Sequence, residues 1–305
     1  MQIDEPFYKV YFKAEGVVFI VVVNGIDVYT NDKGGPITLE IPINQFVRSG
    51  KNKLELQLHT RGDDNVLSLG DSAYIDLEYR LYTSLDDYVI LNKLVYSARN
   101  EKQGEPFKSS SNKGQYSIKD HKLIADNSGD YEVSEFQLTV DKENYDNNYL
   151  YHIVTMPAPF PEWKFLTGDP IPDPQQFKTK EEMIDGLVGA PFNELKKIHT
   201  ALSNKDINSI MPLFKERNDE MDKAFYYESG TYEKLLRESF EENYKKGRIL
   251  KDLDINVAMP AVSPGKTIIQ LGADPLIRFH NESKSVFIKY DIFFRKEGDK
   301  WIITR

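Results

Sequence analysis

The chain has 305 residues, of which 40% are hydrophobic, 12% aromatic and 29% charged, with no cysteine and a formal net charge of −9. This length exceeds what one hydrophobic core usually holds, so two domains are expected. The lack of cysteine excludes disulfides, thiolate nucleophiles and cysteine-bound zinc, no apolar run reaches the roughly 20 residues of a membrane helix, and the acidic balance disfavours nucleic acid and anionic lipid as partners.

The acid is unevenly placed, with 16 Lys and Arg against 24 Asp and Glu over residues 1–160 but 23 against 24 over 161–305. The expected setting is cytoplasmic, or periplasmic if a leader has been removed, and neither a cofactor nor a metal is expected.

From the start of the chain, Tyr8 to Phe12 alternates and reads as an opening strand. Val17 to Val23 is an unbroken apolar run of strand length, which predicts burial on both faces. Asn24-Gly25 follows, the pair that two-residue hairpins require because both positions take φ > 0. Leu54, Leu56 and Leu58 then alternate with polar residues, as do Ile75, Leu77, Tyr79 and Leu81. The segment 88–98 reads as a central strand, Asn100 to Gly114 as an exposed polar loop, and Gln115 to Met156 restores the strand signal. Many short strands with polar turns predict an all-β sandwich over 1–155. The hairpin followed by Pro42, Phe46, Gly50, Asn52 and Leu54 resembles the galactose-binding-like (jelly-roll) β-sandwich modules. That resemblance implies a fold and, by analogy, a sugar site, for which Tyr29, Tyr74 and Tyr82 are the aromatic candidates.

Prolines at 157, 159, 161, 170, 172 and 174 mark a linker over 156–180, since proline fixes φ and removes the backbone donor. Trp163 lies there with Phe160 and Phe165, expected either to pack between the domains or to anchor a partner. Beyond it, Phe192, Leu195, Ile198 and Leu202 have helical spacing after Pro191. Asp206 can cap a second helix interrupted at Pro212, and Ser229 or Thr231 a third that ends at Gly247. The charged run Lys215 to Lys223 reads as a solvated helix face. Strands take over to the end, closing in a hairpin at Glu297-Gly298-Asp299. The predicted fold of 181–305 is α+β, with helices packed on a curved antiparallel sheet. Leu195 to Phe214, the helix around Phe240, and Tyr290 to Ile303 resemble the nuclear transport factor two-like (cystatin-like) cone. That fold implies a pocket at its mouth, used by some members for acid–base chemistry and by others only for binding.

Candidate bases for such a pocket are His199 and His280, with Asp291 and Glu282 as companions, but no spacing pairs them. Arg61-Gly62-Asp63 reads as a solvated turn, and Asp126 to Asp130 lacks the twelve-residue loop of a calcium hand. Three function classes are expected. The first is a non-catalytic binding protein: an acidic, cysteine-free chain of mixed β and cone folds resembles the bacterial immunity proteins that neutralise secreted toxins, for instance those of type VI secretion. In that reading Asp63, Asp64, Asp71, Asp86 and Asp87 steer a basic toxin surface, with Trp163 and Phe165 as further contacts. The second is a carbohydrate-binding surface on the first domain, and the third an enzyme using the pocket of the second.

Overall fold

A computed structural model of the chain describes all residues except 60–69, 102, 106, 135, 136, 142–148, 273 and 274. Contacts gather into two compact units, Met1–Glu162 and Trp163–Arg305.

The first unit is built of strands β1 (Gln2–Ile3), β2 (Phe7–Glu15), β3 (Val18–Val23), β4 (Ile26–Asn31), β5 (Ile37–Pro42), β6 (Gly50–His59), β7 (Tyr74–Tyr82), β8 (Tyr88–Ser97), β9 (Phe107–Ser111), β10 (Gln115–Lys119), β11 (Lys122–Ala125), β12 (Tyr131–Glu132), β13 (Gln137–Asp141) and β14 (Tyr149–Ala158), with one helical turn, α1 (Ala98–Glu101). There are two five-stranded antiparallel sheets, ordered β13-β14-β6-β3-β4 and β5-β2-β7-β8-β9, and a smaller one ordered β1-β11-β10-β12. Alternation decides which side of each strand is apolar. Tyr8, Val10, Phe12 and Ala14 of β2 and Ile75, Leu77, Tyr79 and Leu81 of β7 are buried, and Leu54, Leu56 and Leu58 of β6 likewise. Phe12 meets Phe19 of β3 at 5.4 Å and Tyr29 of β4 at 4.7 Å between ring centroids, so the two large sheets share one core.

Asn24 and Gly25 take φ of 50° and 81°, as the β3–β4 turn demands. The Asn24 side chain also donates to the Asn52 Oδ1 at 2.7 Å and to the Phe46 carbonyl at 2.8 Å, so the hairpin is pinned to the turn before β6. Val18 and Ile20 are only half-buried, so β3 is covered on one face and partly wet on the other rather than buried on both. Within the expected polar loop 100–114 the structure has a strand, β9, paired with β8 from Asn92↔Ser111 to Tyr96↔Phe107. An edge strand needs only backbone partners, so Phe-Lys-Ser-Ser-Ser can form one without an apolar pattern.

The second unit contains α2 (Lys180–Met183), α3 (Gly189–Ser203), α4 (Ile207–Ile210), α5 (Lys215–Ala224), α6 (Thr231–Lys245), and strands β15 (Ile249–Leu250), β16 (Pro260–Val262), β17 (Ile268–Leu271), β18 (Ile277–His280), β19 (Phe287–Tyr290), β20 (Phe293–Glu297) and β21 (Lys300–Ile303). Its antiparallel sheets are ordered β16-β17-β20-β21 and β15-β18-β19. Phe192, Leu195, Ile198 and Leu202 of α3 pack with Phe240 of α6 and with Ile269, Phe279 and Phe294 of the strands in one core. Pro212 falls in a 3-10 turn, Met211–Phe214, that separates α4 from α5.

The proline-rich segment is not a free linker. The unit boundary falls at Glu162/Trp163, Pro157 and Ala158 close β14 against Lys51 and Gly50, and later residues are bonded into the second unit: Asp169 N–H donates to the Lys296 carbonyl at 2.9 Å and Ile171 N–H to that of Lys266 at 2.8 Å. Trp163 and Phe165 are 1% and 0% exposed, with the Arg305 guanidinium 5.7 Å and 4.0 Å from their ring centroids. They are buried rings and not presented surface, and a guanidinium over an aromatic face is itself a favourable contact.

The charged run expected to be a wet face is α5, and much of it is inside: Asn218, Glu220 and Asp222 are 2%, 8% and 4% exposed. The buried carboxylates, and half-buried Glu216 beside them, each have a specific partner. Glu216 accepts two hydrogen bonds from Arg295, both at 2.7 Å. Glu220 accepts from Arg305 at 2.6 Å and from the Lys164 backbone N–H at 2.8 Å. Asp222 accepts from the backbone N–H groups of Gly230 (2.7 Å) and Tyr232 (2.8 Å), and so caps α6 from another helix in place of Ser229 or Thr231.

Burial would raise the Glu216 carboxyl, but the hydrogen bonds and charge of Arg295 outweigh it and hold the group below its ordinary value. Burial draws Arg305 down to about 10, which leaves it charged at neutral pH. A carboxyl lowered in the folded state stabilises the protein above its unfolded pKa of about 4.3 and loses that contribution as pH falls through the folded value. Glu216→Gln is therefore expected to destabilise the second unit by about 3 kcal/mol at pH 7, since Arg295 loses its buried counter-charge. In urea unfolding followed by circular dichroism, the gap between variant and parent should narrow as the pH is taken below about 4.

Candidate binding surface

The solvent side of the β5-β2-β7-β8-β9 sheet carries a dense set of charged and aromatic side chains. Residues opposite their inward-facing neighbours supply it: Lys9 and Tyr11 from β2, Glu40 from β5, Asp76, Glu78, Arg80 and Tyr82 from β7, and Tyr88, Ile90 and Lys93 from β8. Antiparallel register places Glu40, Tyr11, Glu78 and Lys93 in one row across four strands.

Nearly every charge here is answered by a neighbour. Glu40 accepts from Lys9 (2.9 Å), Arg80 (2.9 Å) and the Tyr82 hydroxyl (2.6 Å). Glu78 accepts from Arg80 Nε and Nη2 at 2.8 Å and 2.6 Å and from Lys93 at 2.9 Å, while Lys93 also reaches Asp76 at 2.8 Å. Burial would raise the carboxyls of Glu40 and Glu78, yet these donors and the adjacent cations lower both. Tyrosine rings complete the layer. The Arg80 guanidinium lies 4.0 Å from the Tyr11 centroid and 4.5 Å from that of Tyr88, and Lys9 sits 4.0 Å from that of Tyr82. Of the sugar-site candidates, Tyr82 thus has a ring face taken by a cation, and Tyr29 packs against Phe12 and Phe19. Tyr74 stands half-buried at the far end of β7.

One end of this face is different. The β7–β8 hairpin turns through Thr83-Ser84-Leu85-Asp86-Asp87, and Leu85 is 95% exposed. The turn is held on itself: Ser84 Oγ donates to Asp87 Oδ2 at 3.0 Å, Asp87 N–H donates to Ser84 Oγ at 3.1 Å, and Thr83 N–H donates to the Asp87 carbonyl at 2.9 Å. Asp86 and Asp87 are exposed beside the leucine, and Tyr88 and Ile90, 41% and 38% exposed, continue the apolar edge down β8. An apolar side chain projected from a bonded turn and flanked by carboxylates suits a socket with a basic rim, and pre-ordering reduces the entropy lost on docking.

The acidic residues expected to act together are separated. Asp71 is exposed but precedes β7, whereas Asp86 and Asp87 follow it; a nine-residue strand at about 3.3 Å per residue puts about 30 Å between them. Asp63 and Asp64, with the Arg61-Gly62-Asp63 turn, lie outside the described residues. Leu85 was missed, although an apolar residue inside Thr-Ser-Leu-Asp-Asp was a usable signal.

In the second unit, His199 Nε2 is 3.0 Å from the Lys251 carbonyl and His280 Nδ1 is 2.8 Å from that of Asn281, so both rings serve backbone groups. Asp291 accepts from Gln270 at 3.0 Å, and Glu282 is exposed. A cavity against the core, lined by Leu195, Leu271, Ile277, Tyr290 and Ile292 among others, has a volume of about 10 Å³. That is room for roughly one water, and neither histidine lines it. Asp126 of the Asp-Asn-Ser-Gly-Asp stretch accepts from Ser128 N–H and Oγ at 3.0 Å and 2.9 Å, an ordinary Asx turn. Among the described residues no group of three or more His, Cys, Asp or Glu could hold a metal ion, and no helix is long and apolar enough to cross a membrane.

No family model matches the chain, and neither the curated proteins nor the solved structures contain a match to it. The fold stands as a β-rich chain with a sandwich-like first unit and an α+β second unit.

The tip is only as well placed as the sheet that carries it. Arg80→Met keeps an unbranched stem on Tyr11 but leaves Glu78, 6% exposed, without its double donor. A loss of about 2 kcal/mol in chemical unfolding is expected.

Proposed function

We propose that this chain is a non-catalytic bacterial binding protein, an immunity protein that occupies and neutralises a secreted antibacterial toxin. The observation that carries the reading is the tip of the β7–β8 hairpin, where Leu85 stands 95% exposed on a self-bonded turn beside Asp86 and Asp87. The charge distribution supports it. Residues 1–162 hold 16 Lys and Arg against 25 Asp and Glu, whereas 163–305 hold 23 of each, so the net charge of −9 belongs to the first unit. A field of that sign accelerates encounter with a basic protein, and the apolar tip then supplies contact that survives desolvation. In this proposal the protein acts in the cytoplasm and binds through surface, with the histidines of the second unit left to their structural bonds.

The neighbouring reading frame supplies the test partner. Its expression should arrest bacterial growth, and co-expression of this chain should relieve the arrest. Leu85→Asp should abolish relief while leaving the thermal unfolding midpoint unchanged. The association rate of the purified pair should fall at least about tenfold between 20 and 500 mM salt, and Asp86→Lys/Asp87→Lys should slow it at low salt. A rate indifferent to salt, or full relief by the Leu85→Asp variant, overturns the reading.

A further inference from the structure

The second unit has an open groove of about 210 Å³ lined by Glu194, Pro212, Leu213, Trp301, Ile302 and Ile303. Three elements form it. Helix α3 brings Glu194 on the flank of its buried stripe, the turn Met211–Phe214 brings Pro212 and Leu213, and β21, at the edge of its sheet, brings the rest. Ile303 pairs with Phe294 and reaches the core, whereas Trp301, two residues nearer the hairpin turn, is only half-buried. The indole packs against the edge of the core and leaves the rest of its surface as a wall of the groove. Leu213 is 37% exposed on the same groove.

The lining has one charge. Glu194 is a carboxylate among aliphatic and aromatic groups, and its two oxygens accept from Lys197 Nζ at 2.8 and 2.9 Å, one turn along α3, where the lysine side chain is 62% exposed. A pair whose cation is this exposed contributes little, and the lysine can yield its place to another cation. A tryptophan ring is the strongest aromatic partner for a cation, and the methylene stem of an amine is matched by Pro212, Leu213 and Ile302. We propose that this groove binds an alkylammonium group, its carbon chain on Pro212, Leu213 and Ile302 and its charged head against Trp301 and the Glu194 carboxylate. An anion would meet Glu194 with no cation in the lining to attract it, and a neutral chain would gain nothing from the carboxylate's charge. The ammonium can come from a free amine or from a lysine side chain of another protein, since both present the same head and stem.

The two tryptophans make the site directly readable, because Trp163 is 1% exposed and only Trp301 lines the groove. The full chain, labelled with ¹⁵N, should show two indole N–H signals, with that of Trp301 assigned by Trp301→Phe. Titration with n-butylammonium chloride should move the Trp301 signal saturably, with a dissociation constant of about a millimolar for so few atoms, and leave the Trp163 signal in place. Glu194→Gln, a change on the helix surface, should weaken binding at least fivefold, and n-butanol should bind at least fivefold more weakly than the amine. Nα-acetyl-lysine methylamide tests the second source: tighter binding than n-butylammonium assigns the groove to a lysine of a partner, and weaker binding to a free amine. The proposal is overturned if sodium chloride at equal ionic strength reproduces the shift, if n-butanol binds as well as the amine, or if Glu194→Gln changes nothing.

Discussion

The second unit depends on a helix whose charges lie inside the protein. α5 sends Glu216 to Arg295 on β20, Glu220 to Arg305 and the Lys164 backbone, and Asp222 to the first N–H groups of α6. One short helix thus ties together the segment that enters the unit, an inner strand of its sheet and the start of the next helix. Apolar packing alone would not dictate these alignments, because hydrophobic contact has no direction, whereas a carboxylate in a low-dielectric interior tolerates few arrangements of donors. The same bonds set a cation beside two buried rings: the guanidinium of Arg305, held by Glu220, lies against Trp163 and Phe165.

The first unit uses charge in the opposite way. On the outer face of its β5-β2-β7-β8-β9 sheet, carboxylates and cations are paired across strands and the tyrosine rings carry the cations. Such a layer offers few unmet groups and forms a firm base for the hairpin that rises from it. Attraction at a distance and contact on arrival therefore come from different features. The first follows from the acidic excess of the whole unit; the second is concentrated at Leu85, an apolar group that stands 95% exposed.

What the amino-acid order determined by itself is the local alternation and its punctuation. The inward faces of β2, β6 and β7, the Asn24-Gly25 turn, the apolar stripe of α3 and the break at Pro212 follow from residue spacing, since each records which side of one element meets the core. Tertiary structure alone decided the fate of the charges. Lys215 to Lys223 has the composition of a wet helix, and its burial rests on Arg295 and Arg305, which lie 79 and 85 residues away from the carboxylates they bond. The same holds for the cap on α6, for the edge strand β9 with its backbone partner in β8, and for the acidic residues that β7 holds apart. In each case the deciding partner is distant in the chain, and a local pattern carries no record of it.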